Sequence, residues 1–214
     1  LLRFLIPCTS YKKKFYHLLH VAIFAGNEEI YRTVYANSKD KNPVAGTSGL
    51  TLLHVAAAHG KLDICGFIIG KVEDKNPATL FGKDTPLHFA AEYGHLSVYK
   101  LLFNHVVDKN PKNNVKMTPL HNAAENGHLA ICEFILKNVK TEDTINAKAA
   151  GHSAPHYACR NGPLSVVKLL PENGANTSLI SDFGRDTPLQ EAMHHRRFDV
   201  VRYLESIQIL NLQN

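Results

Sequence analysis

A four-residue motif recurs through the sequence at nearly constant spacing, and this recurrence restricts the fold more than any other feature. Thr85-Pro86-Leu87-His88 returns as Thr118-Pro119-Leu120-His121, and weaker versions occur elsewhere. We call the fourth residue of each version the anchor, and the six anchors stand at positions 20, 54, 88, 121, 156 and 190. The intervals are therefore 34, 34, 33, 35 and 34 residues. Such a period is typical of proteins built by stacking small supersecondary units.

Each unit has the pattern of two short helices. Thr85 is a good N-cap, and Pro86 suits the first helical position, where no N–H donor is needed. Gly94 can adopt the left-handed conformation that ends a helix. A second apolar stripe follows at helical spacing, formed by Leu96, Val98, Leu101 and Leu102. The sequence therefore predicts a helix-turn-helix in each unit, with a turn or hairpin between units.

The motif, the period and the Ala-Ala-x-x-Gly-His runs at 90–95 and 123–128 together resemble the ankyrin repeat. This resemblance implies an all-α repeat solenoid of stacked helix-turn-helix units with projecting β-hairpin or turn loops. It covers residues 17–206 as a domain of six units. Residues 1–16 are then an N-terminal extension or the remnant of an upstream repeat, and residues 207–214 are a C-terminal tail.

The end units and the fifth unit depart from the pattern. The first and last units look like caps, because the first lacks Thr-Pro and the last has Gln190 at its anchor. In the fifth unit we expect Pro155 and Pro171 to weaken both helices, the second of which should end near Leu169. This unit should then open first among the interior ones. The apolar tail is expected to dock back on the last unit unless further chain follows it.

The basic charge of the chain lies mainly near its N-terminus. Of the net charge of +5, residues 1–43 carry four, and Lys12, Lys13 and Lys14 form a cluster there. Nucleic-acid binding needs basic residues gathered on one face, whereas the rest of the chain mixes both signs. No apolar run reaches the roughly 18 residues of a membrane span. We expect a cytoplasmic or nuclear protein in which this cluster is solvated.

The histidines and cysteines are placed for structure rather than chemistry. Equivalent residues of adjacent units are about 8–10 Å apart, too far to share a metal ion. The resemblance gives the anchor histidines hydrogen bonds to the motif Thr and nearby backbone, a role that falls on His54, His88, His121, His156, Thr85 and Thr118. We therefore expect no metal, no cofactor and no catalytic residue.

The cysteines could in principle form disulfides or a catalytic pair, but their positions favour neither. Cys65 and Cys132 share one repeat position two units apart, beyond disulfide reach, and Cys8 and Cys159 complete no framework. His156 and Cys159 stand three apart on one helix, a spacing that suits a base and its nucleophile, but both fill interior motif positions and no oxyanion site is recognisable. The cysteines are therefore expected in the core.

In ankyrins, the hairpin tips and the exposed ends of the first helices bind partners, and we call this surface the concave face. The resemblance places a set of variable residues on it: Leu50, His59, Phe81, Lys83, Asp84, Glu92, Tyr93, Lys116, Met117, Glu125, Asn126, His152, Arg160, Asn161, Phe183 and Arg185. Exposed aromatic, Met and Arg side chains are common at binding hot spots. The expected function is a non-catalytic scaffold that binds a partner protein and no small-molecule substrate.

Two alternatives remain open at this point. The chain is the recognition segment of a larger enzyme or channel, or it binds nucleic acid or an anionic membrane through its basic N-terminus. A longer reading frame would favour the first, and strong salt dependence the second.

Overall fold

The computed structural model describes residues 11–45, 47–139 and 141–212, and this part of the chain is mostly helical. Its helices follow one another in antiparallel pairs: α1 (Tyr11–Ala25) and α2 (Glu28–Asn37), α3 (Leu52–Ala58) and α4 (Leu62–Ile69), α5 (Pro86–Glu92) and α6 (Leu96–His105), α7 (Pro119–Glu125) and α8 (Leu129–Asn138), α10 (Ala154–Asn161) and α11 (Leu164–Glu172), and α12 (Pro188–His194) and α13 (Phe198–Leu212). A single turn, α9 (Glu142–Ile145), precedes the fifth pair.

Two connections between pairs form short antiparallel hairpins, and the others are turns. Strands β1 (Val44–Ala45) and β2 (Leu50–Thr51) pair with Val44 opposite Thr51, and β3 (Lys148–Ala149) and β4 (His152–Ser153) pair with Lys148 opposite Ser153. With the stacked helix pairs, these loops give the all-α repeat solenoid that the sequence predicts.

The first helix of each interior unit begins at the motif, as the sequence predicts. At the start of α5, the Thr85 side chain accepts from the backbone N–H of His88, and His88 Nδ1 accepts from the Thr85 N–H at 3.1 Å. Pro86 follows at the first position of the helix, where its missing N–H is not needed. The same reciprocal cap begins α3, α7, α10 and α12.

The core runs through the stack between neighbouring units. The paired alanines of the motif, such as Ala90 and Ala91, are fully buried, and their small side chains allow adjacent first helices to approach closely. On the second helices, one fully buried position alternates between large and small residues, with Tyr31, Cys65, Tyr99 and Cys132 in successive units. The alternation ends after the fourth unit, since the fifth has Val167 at this position.

The repeated Asp-Lys-Asn-Pro segment follows the second helices of the first three units, and in two of them its Lys contacts the end of the helix. In the third unit, Asp108 accepts from the backbone N–H of Asn110 at 2.9 Å, and the Lys109 ammonium donates to the Phe103 carbonyl near the end of α6. In the first unit, Lys41 likewise donates to the Ala36 carbonyl at 2.9 Å. A cation there satisfies carbonyls that the helix leaves unpaired and complements its dipole.

At each end of the stack a helix includes residues on both sides of an expected boundary. Helix α1 extends from Tyr11 to Ala25 and so spans the boundary expected between residues 16 and 17. Helix α13 continues to Leu212, so most of the expected tail is helical in the described part of the chain. Ile207 still packs against the core. Segment 1–6, Cys8 and the side chains of Lys12, Lys13 and Lys14 lie outside the described residues.

The prediction that the second helix of the fifth unit ends near Leu169 was wrong. Pro155 lies in the first turn of α10, where an N–H donor is not required. Helix α11 does not end near Leu169 but includes Pro171 and ends at Glu172. Extending it buries Leu170 completely, and the Asn173 side chain donates to the Leu169 carbonyl at 2.9 Å. Burial and this cap offset the one hydrogen bond that Pro171 removes.

Candidate functional site

Successive loops are joined to one another by backbone hydrogen bonds. Leu80 N–H donates to the Ser48 carbonyl at 2.9 Å, and Asn114 N–H donates to the Gly82 carbonyl at 2.8 Å. Further along, the Ala150 N–H donates to the Val115 carbonyl at 2.9 Å, and the Asp182 N–H donates to the Gly151 carbonyl at 3.0 Å. The tips therefore form one continuous ribbon along the stack, rather than separate loops.

The anchor histidines hold this ribbon against the helices. His54 Nε2 lies 3.0 Å from the Asp84 carbonyl oxygen, and His88 Nε2 lies 2.9 Å from that of Met117. His121 and His156 make the equivalent contact with Ala147 and Asp186, each at 3.0 Å. Since Nδ1 accepts from the cap N–H, the neutral ring carrying its proton on Nε2 satisfies both partners. Burial lowers the pKa of His54 and of His121 to about 4, which favours this neutral form.

The residues that the sequence assigns to the concave face divide by exposure. Phe183, Phe81 and Tyr93 are the large ones that face solvent, with exposed fractions of 83%, 71% and 51%. The other exposed members are His59, Lys83, Lys116, Asn126, Asn161 and Arg185. The half-buried members are Leu50, Asp84, Glu92, Met117, Glu125, His152 and Arg160.

Three of the exposed residues occupy one repeat position with an unusual backbone. Lys83, Lys116 and Arg185 have φ values of 58°, 65° and 55°, in the left-handed region that L-residues seldom adopt. Each stands five residues before its anchor, at the tip of its loop. The strained positions thus carry long basic side chains into solvent.

An open groove of about 710 Å³ lies in the middle of the surface, where the third, fourth and fifth units meet. We call it the acceptor groove; its lining is Asp84, Glu92, Asn113, Met117, Asn122, Glu125, Asn126 and Asn161. Six of these residues are among those that the sequence assigns to the concave face. The remaining assigned residues, including the three large exposed aromatics, lie outside the groove.

The groove is rich in hydrogen-bond acceptors. Asp84 accepts from the Asn113 side-chain amide at 2.7 Å, and Glu125 accepts from that of Asn161 at 3.4 Å. Burial raises the pKa of Glu92, and the negative charges of Asp84 and Glu125 raise it further. This part of the surface therefore has a negative potential, in contrast to the basic loop tips.

Two of the assigned residues are already engaged within the protein. Arg160 makes two hydrogen bonds to Glu191, from Nε at 3.2 Å and from one terminal nitrogen at 3.1 Å. His152 Nε2 lies 3.2 Å from the same carboxylate. Although burial alone would raise the pKa of Glu191, the Arg160 guanidinium holds it below its usual value. These side chains join the fifth and sixth units.

Sequence reasoning missed Asn113, Asn122 and Glu191. A signal for the last two exists at the position after each anchor, which reads Val55, Phe89, Asn122, Tyr157 and Glu191 in successive units. Phe89 packs edge-on against His54, and Tyr157 packs in the same way against His121, with ring centroids 5.5 and 5.6 Å apart. Asn122 and Glu191 are therefore polar exceptions at a repeat position that is otherwise apolar.

The buried cysteines lack the features of a reactive thiol. Burial raises the pKa of Cys65, Cys132 and Cys159 to about 12, so each thiol is protonated at neutral pH. His156, the base considered for Cys159, has Nδ1 against Ser153 and Nε2 against the Asp186 carbonyl. Among the described residues, no group of three His, Cys, Asp or Glu side chains is arranged to hold a metal ion.

Comparison with known proteins agrees with this architecture. A family model described as ankyrin repeats matches residues 53–149 and 139–213, in three copies. Among curated proteins, none gives a significant match to the chain. In the described part of the chain, every helix is too short or too polar to cross a membrane.

Proposed function

Because the chain belongs to the ankyrin-repeat family, we propose that it is a non-catalytic scaffold that binds a partner protein through its concave face. Ankyrin repeats are generally protein–protein interaction modules without catalytic activity. The loop tips and the exposed ends of the first helices would be the parts of this chain that contact the partner.

The observation that carries the proposal is the hydrogen-bonded ribbon of loop tips. Since neighbouring tips share backbone bonds, the variable residues on them have fixed positions relative to one another. Preorganised side chains lose little freedom on binding, which favours affinity. Phe81 and Phe183 project from this rigid edge and are mostly exposed, and Tyr93 is half-exposed at the end of α5. Exposed aromatic residues on a rigid frame are typical of binding hot spots.

Two substitutions separate recognition from folding. Tyr93→Ala should change stability by less than about 0.5 kcal/mol, because the ring is half-exposed, and should lower partner affinity by about 1–2 kcal/mol. His88→Ala removes a buried group that bonds the Thr85 cap and the next loop, so it should cost about 1–3 kcal/mol of stability. Urea unfolding measures stability, and quantitative capture from lysate of the source cells measures binding.

A matched control lies on a second helix. Phe198 begins α13 and is 66% exposed, so Phe198→Ala removes a comparable aromatic away from the concave face. It should leave capture unchanged. If Tyr93→Ala and Phe81→Ala both capture the same proteins as well as wild type does, binding occurs on another surface.

A further inference from the structure

The acceptor groove has more hydrogen-bond acceptors than the described residues satisfy. Asp84 and Glu125 each have one oxygen bonded to a neighbouring amide. The Glu92 carboxylate receives no hydrogen bond from the described residues. Carboxylates can accept several hydrogen bonds each, so the groove offers multiple vacant positions for a donor.

The buried side chain of Asn122 is a second sign, independent of the carboxylates, that the groove binds a donor. Its side chain lines the groove although it is only 8% exposed, and its Oδ1 is enclosed without any donor in the described part of the chain. A buried, unpaired carbonyl is unfavourable, and native proteins seldom retain one without a reason. Neighbouring units fill the same column with the rings of Phe89 and Tyr157. Asn122 thus replaces an apolar contact with an acceptor that the fold itself leaves unused.

The carboxylates are also placed where they oppose folding. Glu92 and Glu125 are the last residues of α5 and α7, at the negative end of each helix dipole. Mutual repulsion with Asp84 raises the pKa of Glu92 further above its normal value. Arg160, the cation electrostatically coupled to Glu125, makes its hydrogen bonds to Glu191 instead. Groups that cost stability in a cleft are candidates for binding.

We propose that the acceptor groove binds an arginine side chain of the partner protein. This inference rests on the proposed function and specifies the chemistry that the concave face recognises. A guanidinium carries five N–H donors in a fixed plane, which suits several acceptors that surround it. A metal ion fits less well, because the described carboxylates are not grouped closely enough to share one. The groove volume of about 710 Å³ accommodates a long side chain with flanking backbone.

Peptides with a single central arginine test the proposal on the whole chain. Phage display of random nonapeptides on the immobilised protein should enrich arginine at one position. For a selected peptide, fluorescence anisotropy should show about a tenfold or greater loss of affinity when that arginine is replaced by citrulline, which keeps its shape without the charge. Replacement by lysine should also weaken binding, because an ammonium cannot present the planar fork.

Variants of the protein identify the groove as the site. Glu92→Gln and Glu125→Gln should each weaken the arginine peptide by about tenfold and leave the citrulline peptide unaffected. Glu133, an exposed carboxylate on α8 outside the groove, provides the control, and Glu133→Gln should bind like wild type. The two groove variants must fold for this test, and Glu92→Gln should melt at a higher temperature than wild type at pH 7. The sign follows because the raised pKa of Glu92 means that its ionised form destabilises the folded state.

The outcomes separate this inference from the proposed function. If selected peptides lose affinity with Tyr93→Ala but bind equally well with citrulline or lysine, the arginine proposal is overturned and the concave face remains the binding surface. If peptide binding is indifferent to Tyr93→Ala and to both groove variants, both proposals are overturned. Arginine-dependent binding that Glu92→Gln abolishes and Glu133→Gln preserves supports both.

Discussion

At the scale of single residues, the anchor histidine links its own helix to the loop of the next unit in units two to five. Its Nδ1 accepts a hydrogen bond from the N-cap N–H of its own helix, and its Nε2 donates one to a backbone carbonyl in the loop of the next unit. The last unit shows which part of this role another residue can take. Gln190 accepts from the Thr187 N–H at 2.8 Å through its Oε1, so the cap survives without an imidazole. A glutamine has no charge to gain, whereas a buried imidazole does.

This difference predicts a pH dependence. With its pKa lowered to about 4 in the folded protein against an ordinary 6.5, His121 contributes stability that is fully present above pH 6.5 and is lost as the pH falls toward 4. His121→Gln removes this contribution but keeps the cap. The destabilisation caused by the substitution should therefore be about 2 kcal/mol smaller at pH 5 than at pH 7. Urea unfolding at the two pH values measures it, and an equal effect at both would contradict the assignment.

Residues within one unit were predictable from sequence, whereas partners across units were not. Thr85, Pro86 and His88 act within three or four positions of one another, so local rules suffice to place them. The pair Arg160 and Glu191 is separated by 31 residues, and its geometry depends on how the fifth and sixth units pack. Asn122 was missed for the same reason, because whether its amide finds a donor depends on residues of neighbouring units.

At the scale of helices, the predictions succeeded where the chain carries an explicit start or stop. Thr-Pro starts α5 and α7, and a glycine follows the end of each. Helices α1 and α13 lack such signals near residues 16 and 206, and each extends across that position. The wrong prediction at Pro171 has a different origin. Sequence rules give the cost of a proline in a helix, but the benefit of burying Leu170 is visible only in the packed stack.

Two glycines that follow helices have similar positive φ values but differ in how much space a side chain would find there. Gly94 and Gly174 have φ values of 78° and 94°. A Cβ on Gly94 would lie 2.5 Å from His128 Nδ1, whereas one on Gly174 would meet nothing within 4 Å. Gly174→Ala should cost about 1–2 kcal/mol for the backbone alone. Gly94→Ala should cost about 1–3 kcal/mol more, because it also displaces His128 from the Glu92 carbonyl.

Chemical denaturation of both variants gives the difference directly. Equal losses would mean that His128 moves aside without penalty, and the bond between His128 and the preceding unit would then have little value.

At the scale of the whole molecule, stability comes from the contacts between neighbouring units. Helix α10 packs against both α7 and α12, whereas within the described residues α12 packs against one neighbouring first helix, α10. In a linear array of this kind, an end unit opens at a lower free energy than an interior one. The prolines of the fifth unit do not reverse this order, since Pro155 lies in the first turn and α11 continues past Pro171.

Hydrogen exchange should therefore show less protection in α12 than in α10. The sequence-based expectation, that the fifth unit opens first among the interior units, concerns a different comparison and stays a prediction. Amide exchange followed by mass spectrometry would compare peptides covering residues 188–194 with those covering residues 154–161. Exchange in α10 that is as fast as in α12 would contradict this order and support the view that the prolines weaken this unit.

The hydrogen bonds that join units have a short reach along the chain. Those from the anchor histidines span 26 to 30 residues, and the longest in the described part of the chain, from His95 to Ala58, spans 37. The entropic cost of bringing the two ends of such a segment together is therefore about the same for each unit that is added, whatever the number of units. During synthesis, each unit meets the residues it needs as soon as about one further repeat has left the ribosome. The chain can therefore fold progressively while it is being translated, without waiting for a distant segment.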